Sequence, residues 1–547
     1  MADVEKPDFS KPSTLTPLPS TLTPLPSTLY SCLAASAAGS PENTAFTDEK
    51  RRMSYGELLH SVDRAADMFW QSGVRKQDTV AIVLRNSMEF VIACFALAKL
   101  GAVAVPINYL VTKETEIKYI LENAKCKGVV TAREHLTGYL NVKKQLPCLQ
   151  FIMSVDFTGE DSVIDFRRYL THAHYHHETW GVMAEEHGVA TILYTSGTTG
   201  HPKGVLLTHH NLIENSRAAI KSLGPEKKDV FMALLPMFHT FSWTGNVIIP
   251  ILLGAKTYIV RNLTPPKPWL VAMGREGVSI MLAVPQIYGV LAKEAKGFKK
   301  FFLRFWSFRK VRLCLSGAAP LSRAVKEHFE KAFRIPILEG YGLTETSPVV
   351  TLSLPGAKKH GSVGKALPGV RITVVDEHGR PLGPGAEGEI CVWGPNITQG
   401  YYENPDATKE LFTRDGWLKT GDIGVIDEEG FLFIRDRKKD MVIVKGLKVF
   451  PAQIEQLISA HPKVQEAAVI GIPDDAGNET MKCFCVPKKD MNIDKAELMR
   501  FIKSNMDAYK RPREVEIVQR LPKNTLQKVL KRELLKNELE KRTKIKT

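Results

Sequence analysis

Apolar and polar positions alternate along the chain in a pattern that predicts strands and helices in turn. Thr79–Leu84 is a short apolar run bounded by polar residues, and it predicts a buried strand. Glu89–Leu100 has the length and composition of a buried helix, and Ala102–Val105 is a second apolar strand. Strands separated by helical segments are typical of parallel, doubly wound α/β layers. We therefore expect an α/β fold from about Leu29 onward.

The pattern changes in the second half of the chain. Between residues 365 and 433, short apolar stretches are punctuated by Gly-Pro and Asp-Glu-His-Gly turns, which indicates a small antiparallel sheet or β-barrel. A charged run, Ile434–Asp440, then separates two predicted strands and is a plausible linker. We expect a large N-terminal domain over residues 28–435 and a small, mobile α+β domain over residues 436–547.

The N-terminal segment differs from the rest of the chain in its composition. The heptapeptide STLTPLP occurs twice in succession, at residues 13–19 and 20–26. Two proline-rich copies are too few for a repeat fold and favour extended chain, so residues 1–27 are expected to be a flexible tail.

Composition narrows the function classes. The chain has 547 residues, of which 44% are hydrophobic and 24% charged, as in an ordinary globular protein. The eight cysteines follow neither a disulfide nor a zinc spacing, which favours a reducing compartment and a cytoplasmic location. The longest apolar stretch is interrupted before it reaches about 18 residues, which argues against a membrane-spanning helix.

The net charge of +15 is unevenly distributed. The last 48 residues contain 15 Lys and Arg against 6 Asp and Glu. Such a face suits nucleic acid, an anionic membrane, a small polyanion or simply solvent. No nucleic-acid recognition motif accompanies it, so we expect no nucleic-acid partner.

One glycine-rich loop has the composition of a phosphate-binding site. The sequence TSGTTGHPKG follows a predicted strand and combines glycines, hydroxyl side chains and one lysine. Glycine allows close approach of backbone N–H groups to phosphate oxygens, and Lys203 adds a positive charge. The spacing differs from that of the common P-loop, and the residues after Lys203 predict a strand. The alternative is a glycine-rich surface turn.

Three further stretches support a nucleotide site. Small residues follow a strand at Ser316–Pro320. In EGYGLTET, Tyr341 can stack on a purine, the glycines leave room for the base, and Glu345 can hold Mg²⁺. Asp422 can accept hydrogen bonds from ribose hydroxyls, and Arg437 follows it by fifteen residues. Each stretch alone could be a capped turn, but the set favours a nucleotide site.

Taken together, the chain resembles the adenylate-forming superfamily of acyl-CoA synthetases, luciferases and peptide synthetase adenylation domains. The resemblance rests on YTSGTTGHPKG, GYGLTETSP, WLKTGD, IRDRKKD and LPKNTLQKVLKREL, and it covers about Leu29–Leu535. It implies a doubly wound α/β large domain, a small C-terminal domain that rotates, and the use of ATP, Mg²⁺ and coenzyme A. A carboxylic acid would first become an acyl-adenylate with release of pyrophosphate, and the thiol would then displace AMP.

The resemblance also implies roles for individual residues. The implied catalytic residues are Lys528, Thr344, Glu345, Lys203 and His239. The implied nucleotide- and cofactor-binding residues are Thr195, Ser196, Gly197, Thr198, Thr199, Gly200, Gly317, Ala318, Ala319, Glu339, Gly340, Tyr341, Gly342, Asp422, Ile434, Arg437, Lys445 and Gly446. Thr195 and Glu345 would hold the metal ion, and Lys439 would be the hinge. The family usually has glycine before the catalytic lysine, whereas this chain has Gln527.

The substrate class depends on the acyl pocket, which His239, Trp243 and Gly340 would line. Trp243 matches the gating tryptophan of long-chain fatty acyl-CoA synthetases, although it could also be an ordinary core residue. We expect a medium- or long-chain fatty acid–CoA ligase. The alternatives are ligation of an aryl or alicyclic acid, transfer to a carrier protein, or a nucleotide-regulated binding protein without catalysis.

One aromatic and basic stretch suggests a membrane partner. Lys296–Arg312 contains Phe298, Phe301, Phe302, Phe305 and Trp306 among lysines and arginines, as in helices that lie on a bilayer surface. A basic amphipathic core helix is the alternative. A homodimer is a further expectation.

Overall fold

The computed structural model describes residues 25–156, 159–172, 183–195, 202–357, 359–444, 447–473, 479–524 and 527–546. It confirms the predicted alternation, because Thr79–Val83 and Val103–Pro106 are strands and Met88–Lys99 between them is a helix. Within the predicted tail, residues 1–24 lie outside the described residues. The domain limits at 27 and 436 stay predictions.

The strands are named in chain order. They are β1 (Thr44–Thr47), β2 (Arg52–Ser54), β3 (Thr79–Val83), β4 (Val103–Pro106), β5 (Gly128–Thr131), β6 (Phe151–Ser154), β7 (Ile164–Asp165), β8 (Val189–Thr195), β9 (Lys203–Thr208), β10 (Val230–Ala233), β11 (Lys256–Ile259), β12 (Ile280–Ala283), β13 (Leu313–Ser316), β14 (Ile337–Gly342), β15 (Val349–Leu352), β16 (Lys365–Ala366), β17 (Arg371–Val375), β18 (Glu387–Trp393), β19 (Leu418–Ile426), β20 (Leu432–Arg437), β21 (Val442–Val444), β22 (Leu447–Val449), β23 (Val464–Pro473), β24 (Glu479–Pro487) and β25 (Glu514–Ile517).

The helices are named in the same way. They are α1 (Leu29–Gly39), α2 (Tyr55–Gln71), α3 (Met88–Lys99), α4 (Glu114–Asn123), α5 (Leu136–Lys143), α6 (Phe166–His172), α7 (His209–Leu223), α8 (Thr240–Ser242), α9 (Ile249–Leu253), α10 (Lys267–Glu276), α11 (Pro285–Glu294), α12 (Gly297–Phe302), α13 (Arg323–Phe333), α14 (Pro405–Leu411), α15 (Pro451–Ser459), α16 (Lys495–Asn505) and α17 (Lys531–Lys546). Short 3-10 turns are Arg133–His135, Thr344–Thr346, Lys438–Asp440 and Ala508–Lys510, and wider π-helical turns are Trp243–Ile248 and Leu303–Ser307.

Two large sheets dominate the N-terminal part of the chain. The first has the strand order β7-β6-β5-β3-β4-β8-β9, with parallel pairing throughout except for the antiparallel edge pair of β8 and β9. The second has the order β16-β15-β14-β13-β12-β10-β11-β1-β2, with a parallel centre and antiparallel edges. This is the predicted α/β architecture with parallel sheets.

The sequence of helix α3 shows no continuous polar face, and its burial explains why. All twelve of its residues are buried, as expected for a helix packed on more than one side. Its one basic residue, Lys99, forms a buried ion pair in which Nζ lies 2.7 Å from Asp63 Oδ1. A buried ammonium requires such a partner, because an unpaired charge in the core is strongly destabilising.

The carboxyl ends of the two sheets meet at Asn86, which follows β3. Its amide nitrogen donates to the carbonyls of Ala233, Leu235 and Val260, which end β10 and β11, at 3.2, 2.9 and 3.2 Å. Its amide oxygen accepts from the N–H of Met237 at 2.8 Å. Ligands of open α/β sheets bind beyond the carboxyl ends of the strands, so this junction positions a cleft between the sheets.

The remaining strands form smaller sheets. Strands β17 to β20 form the predicted small antiparallel sheet, which is open, with β17 and β20 at its edges. After the turn Lys438–Asp440 come the hairpin β21–β22 and the three-stranded sheet β23-β24-β25, with α15, α16 and α17. This is a small C-terminal unit with its own apolar core. Within the described ranges, no helix is both long enough and apolar enough to cross a membrane.

Candidate functional site

Strand β14 carries a glycine motif at the carboxyl edge of the second sheet. A Cβ at Gly342 would lie 1.7 Å from the carbonyl oxygen of Pro348, and one at Gly340 would lie 2.8 Å from Leu352 Cδ2. Neither position therefore accepts a side chain without rearrangement. Between these glycines, the ring of Tyr341 is held at the edge of the cleft.

Tyr341, Asp422 and Arg437 form one connected group. The Tyr341 hydroxyl donates to Asp422 Oδ2 at 2.7 Å, and Arg437 Nε lies 3.1 Å from Asp422 Oδ1. The antiparallel pairing of β19 and β20 places Asp422 opposite Arg437. Burial raises the pKa of the Tyr341 phenol, and the neighbouring Asp422 carboxylate adds to the rise, so the phenol remains a neutral donor. The structure thus brings together three residues that are far apart in the sequence.

A second group joins Lys203 to Glu345 through Tyr401. The Tyr401 hydroxyl donates to Glu345 Oε1 at 2.8 Å, and Lys203 Nζ lies 5.0 Å from the centroid of the Tyr401 ring. Thr195 is paired with Lys203 across β8 and β9, at the end of the hairpin. The rest of the predicted loop lies outside the described residues, namely Ser196, Gly197, Thr198, Thr199 and Gly200. A cation, a carboxylate and hydroxyls therefore surround one end of the cleft.

His239 and Thr344 lie near this group. The Thr240 hydroxyl donates to the Thr344 hydroxyl at 3.4 Å, and His239 Nδ1 accepts from the N–H of Phe241 at 3.3 Å. Burial lowers the pKa of His239 to about 4, and the positive charge of Lys528 contributes to the lowering. The imidazole is therefore neutral near pH 7, and its Nδ1 lone pair is already engaged.

Lys528 reaches the cleft from the C-terminal unit. Asn524 organises its loop, because the Asn524 side chain accepts from the N–H of Lys528 at 2.9 Å and its N–H donates to the Lys528 carbonyl at 2.9 Å. The lysine side chain stays accessible to solvent but is crowded by protein. Loss of surrounding water lowers the pKa of Lys528 to about 8, and the charge of Arg437 lowers it further while Asp422 opposes this.

The residue before this lysine adopts a backbone conformation that suits glycine. Gln527 has φ of 61°, in the left-handed region. Its carbonyl accepts from Gln286 Nε2 of the large domain at 3.2 Å. The departure from glycine noted in the sequence therefore coincides with a strained position, and the contact with Gln286 helps to hold the loop against the cleft.

This strain leads to a prediction for two substitutions. Gln527→Gly should keep or raise the rate of adenylate formation, because glycine adopts this φ without cost. Gln527→Val should lower the rate several-fold, because a β-branched residue in this region costs roughly 1–2 kcal/mol. Single-turnover adenylate formation by each variant is the measurement, with thermal unfolding as the control. Equal rates for the valine and glycine variants would contradict the strained loop.

The other predicted nucleotide-site residues lie around the same edge. A Cβ at Gly317 would meet the Phe241 ring at 3.3 Å, and Ala318 has φ of 66°. Glu339 forms an ion pair of 2.6 Å with Lys326. Ile434 packs with Tyr341 against one apolar cluster. Ala319 follows Ala318 beyond the end of β13.

The predicted hinge lies between the two parts of the chain. Lys439 is in the 3-10 turn that follows β20, and burial lowers the pKa of its side chain, with the charge of Arg437 adding to the effect. Lys445 and Gly446, predicted to reach the site in the second step, lie outside the described residues. Their roles and that of Lys439 stay predictions.

Trp243 lies in the π-helical turn that follows α8, and its backbone N–H donates to the His239 carbonyl at 2.9 Å. It is only 1% exposed and packs edge-on against Phe90 at 5.7 Å and Phe95 at 5.8 Å between ring centroids. Its indole Nε1 is buried and has no hydrogen-bond partner among the described residues.

A separate cavity of about 290 Å³ lies at the junction of the two sheets. Arg85, Tyr109 and Arg261 line it together with residues that end β10 and β11. The guanidinium of Arg85 is 4.8 Å from the centroid of the Tyr109 ring and is also paired with Glu134. Its lining contains none of the predicted nucleotide residues, and its two arginines suit an anionic group.

Two contributors to the site were missed by the sequence reasoning. Tyr401 connects Lys203 to Glu345, and Gln286 contacts the loop of Lys528. Neither lies in a recognisable motif. A tyrosine and a glutamine gain these roles only when distant segments are folded together, so no sequence signal identified them.

Comparison with known proteins agrees with this geometry. Residues 33–402 match the family of AMP-binding enzymes, and residues 453–528 match the AMP-binding enzyme C-terminal domain. A long-chain-fatty-acid–CoA ligase of Bacillus subtilis is 32% identical and covers 94% of this chain and 95% of its own length.

Solved structures are similar over the same extent. ATP-bound MatB from Rhodopseudomonas palustris superposes with a TM-score of 0.84 at 29% identity, covering 94% of this chain and 99% of its own. The anthranilate CoA ligase AuaEII in complex with anthranoyl-AMP has a TM-score of 0.84 at 26% identity, covering 94% and 97%. The chain therefore belongs to the AMP-binding enzyme family, among its ATP-dependent, AMP-forming acyl-CoA ligases.

Proposed function

We propose that the protein ligates a medium- or long-chain fatty acid to coenzyme A. Acyl-CoA ligation through an adenylate is the chemistry of its family, with ATP, Mg²⁺ and coenzyme A as the nucleotide, ion and cosubstrate. The fatty acid is the specific part of the proposal. What supports it is the 32% identity to a long-chain-fatty-acid–CoA ligase over 94% of this chain, together with the buried, aromatic surroundings of Trp243.

The first step is an in-line displacement at phosphorus. A carboxylate oxygen of the acid forms a bond to the α-phosphorus of ATP, the bond between that phosphorus and the bridging oxygen breaks, and pyrophosphate leaves with the electron pair. The carboxylate is already an anion, so no base is required. Positioning and charge neutralisation then supply most of the acceleration.

The cleft provides suitable groups for this step. We assign Tyr341 to the adenine, and Asp422 with Arg437 to the ribose. Lys203 would neutralise phosphate charge and Thr344 would donate a hydrogen bond to a phosphate, while Lys528 would reach both the α-phosphate and the carboxylate. The neutral imidazole of His239 would border the carboxylate without adding charge.

The residues assigned to the metal ion fit its chemistry. Mg²⁺ prefers oxygen ligands and usually binds through one or two protein groups together with substrate phosphates. Glu345 Oε1 accepts from Tyr401, the second oxygen of this carboxylate would bind the ion, and Thr195 at the end of β8 would supply its hydroxyl. When bound, the ion would neutralise charge on the phosphates.

The second step transfers the acyl group. The thiol of coenzyme A loses its proton to solvent, its sulfur bonds to the acyl carbonyl carbon, and AMP departs with the carboxylate oxygen that it gained. A rotation of the C-terminal unit about Lys439 would withdraw Lys528 and admit the thiol. The basic surplus after Arg500 suits the phosphates of coenzyme A.

A gating role for Trp243 predicts that the activity depends on the chain length of the acid. Each buried methylene contributes about 0.8 kcal/mol, so kcat/KM of the unmodified enzyme should rise roughly fourfold per added methylene until the tunnel ends. In Trp243→Ala, kcat/KM should depend less on chain length, because the indole that would close the tunnel is lost. The dependence of the rate on ATP should change as well. Aryl acids should gain little. Steady-state kinetics over aliphatic acids of increasing length and benzoate provide the measurement.

Stability requires a matched control, because removing a buried tryptophan typically costs about 3–5 kcal/mol. Trp269 is also buried, but it lies in a different apolar cluster and its indole donates to the Leu263 carbonyl. Trp269→Ala should therefore lower stability without changing the length profile. If both variants changed the dependence of kcat/KM on chain length in the same way, the gating role of Trp243 would be refuted.

An aryl or alicyclic acid is the competing substrate class. The similarity to the anthranilate CoA ligase, at 26% identity, supports this class. A preference of the unmodified enzyme for benzoate, with no rise along the aliphatic series, would establish it in place of the fatty acid. Loading of a carrier protein would appear as acyl-adenylate that coenzyme A does not discharge. The homodimer and the cytoplasmic location stay predictions.

A further inference from the structure

Five aromatic side chains project from one helical segment into solvent. Phe298 is 83% exposed, Phe301 59% and Phe305 57%, and Phe302 and Trp306 are also exposed. These residues belong to α12 and the π-helical turn Leu303–Ser307 that continues it. We call them the aromatic ridge.

The spacing of the aromatic ridge is that of a single helix face. Its members follow the sequence offsets i, i+3, i+4, i+7 and i+8, which normally mark the face turned to the core. Here the core face is a different one, because Leu303 and Ser307 are buried and Ser307 donates to the Leu270 carbonyl at 2.8 Å. The segment is therefore anchored by one face while the aromatic face remains in solvent, which excludes the core-helix alternative.

The rings already contact one another along the surface. The centroids of Phe301 and Phe305 are 4.6 Å apart, and those of Phe298 and Phe301 are 6.3 Å apart. Trp306, which is 39% exposed, donates from its Nε1 to the Val271 carbonyl at 3.1 Å. A contiguous apolar patch of this kind on a solvent-exposed surface marks a site of interaction.

The charges around the aromatic ridge are predominantly positive. Residues 293–310 contain seven lysines and arginines and one acidic residue, Glu294, which is paired with Lys299. The other basic residues are Lys293, Lys296, Lys300, Arg304, Arg309 and Lys310. Aromatic side chains flanked by cations match the boundary between headgroups and acyl chains in an anionic bilayer.

We propose that the aromatic ridge and its basic flank dock the enzyme on membranes that contain anionic phospholipid. Phe298, Phe301 and Phe305 enter the interfacial region, while the lysines and arginines remain at the phosphate level. The chemistry favours a lipid surface over a protein groove because the rings protrude rather than line a concavity, and because the flank carries seven basic residues against one acidic residue. Docking is separate from catalysis and does not depend on which acid is the substrate.

The test is vesicle flotation of the full-length chain at low and high salt. Vesicles of phosphatidylcholine alone are compared with vesicles containing about one-third phosphatidylserine. We expect binding to the anionic vesicles that falls steeply with added salt, as screening requires. One variant carries Phe298→Ser, Phe301→Ser and Phe305→Ser, and another carries Lys296→Glu, Lys299→Glu and Lys300→Glu. Each should lose at least roughly tenfold in partitioning.

Matched variants control for altered hydrophobicity and net charge. Leu110→Ser, Trp393→Ser and Met491→Ser remove three exposed apolar side chains elsewhere, and Lys50→Glu, Lys409→Glu and Lys489→Glu reverse three exposed charges elsewhere. Both should bind anionic vesicles as the unmodified chain does. Turnover of a short, water-soluble acid should be unchanged in all four variants, which shows that they are folded.

Two results would overturn the proposal. One is failure of the unmodified chain to bind anionic vesicles at low salt, which would leave the aromatic ridge as a surface for a protein partner. The other is an equal loss of binding in the ridge variants and their matched controls.

Discussion

Replacing Lys528 with alanine should slow acyl-adenylate formation by roughly 10²–10³, because a preorganised charge aimed at transition-state oxygens is typically worth ~3–4 kcal/mol. Conversion of pre-made acyl-AMP to acyl-CoA should be largely spared, since the lysine is expected to have left the site by then. The two half-reactions are measured separately, as pyrophosphate release in a single turnover and as thioester formed from supplied acyl-AMP.

The control for this variant is another lysine of the same unit. Lys536 is exposed on α17, and Lys536→Ala should change neither half-reaction. Equal losses in the two half-reactions of Lys528→Ala would contradict a role confined to adenylation.

The pH dependence should report the same ammonium group. The surrounding protein lowers the pKa of Lys528 to about 8, so the charged form predominates below this pH and is lost as the pH rises through it. We expect kcat/KM for ATP in adenylation to fall above about pH 8, because this ratio reports groups of the free enzyme. Lys528→Arg should abolish this fall at high pH, since a guanidinium stays charged.

Lys439→Pro should have the opposite effect to Lys528→Ala: it should spare adenylation and impair thioester formation. The proline ring fixes φ near −65°, which is compatible with the 3-10 turn observed at Lys438–Asp440 but not with a large rotation about that bond. Adenylation should therefore continue, and bound acyl-AMP should accumulate to about one equivalent while thioester formation falls by roughly 10²-fold or more, as when gating is blocked. Quench-flow analysis of acyl-AMP and acyl-CoA provides the measurement.

Lys439→Ala distinguishes the backbone from the side chain. Alanine removes the charge but leaves φ free, so thioester formation should stay within a few-fold of that of the unmodified enzyme. A proline variant that forms thioester at the original rate would show that the rotation does not occur at Lys439.

Local patterns in the sequence were sufficient for much of the fold. The predominantly apolar helix α3 and the apolar runs around it predicted parallel layers, because burial on several sides leaves no polar face. The glycines of β14 and the pair Asp422 and Arg437 were predicted as parts of one site, and the structure connects Tyr341, Asp422 and Arg437 by direct contacts. Strong motifs of this kind encode geometry within a few residues.

Long-range packing explains what the sequence could not provide. Tyr401 reaches Glu345 across 56 positions, and Gln286 reaches Gln527 across 241. Such contacts depend on how distant segments of the chain pack together, which no local pattern specifies. The aromatic ridge has the periodicity of a buried face, and only the placement of Leu303 and Ser307 toward the core shows which face is exposed. The sequence left both alternatives open for that reason.

The central claim is that a fatty acid is activated by direct attack of its carboxylate on the α-phosphorus of ATP. The most direct measurement uses a medium-chain fatty acid labelled with ¹⁸O in both carboxylate oxygens, together with ATP, Mg²⁺ and coenzyme A, and determines by mass spectrometry where the label goes. Direct attack should place one ¹⁸O in the phosphate of AMP and none in pyrophosphate, with one retained in the acyl-CoA carbonyl. Label in inorganic phosphate with formation of ADP, or AMP without label, would contradict it.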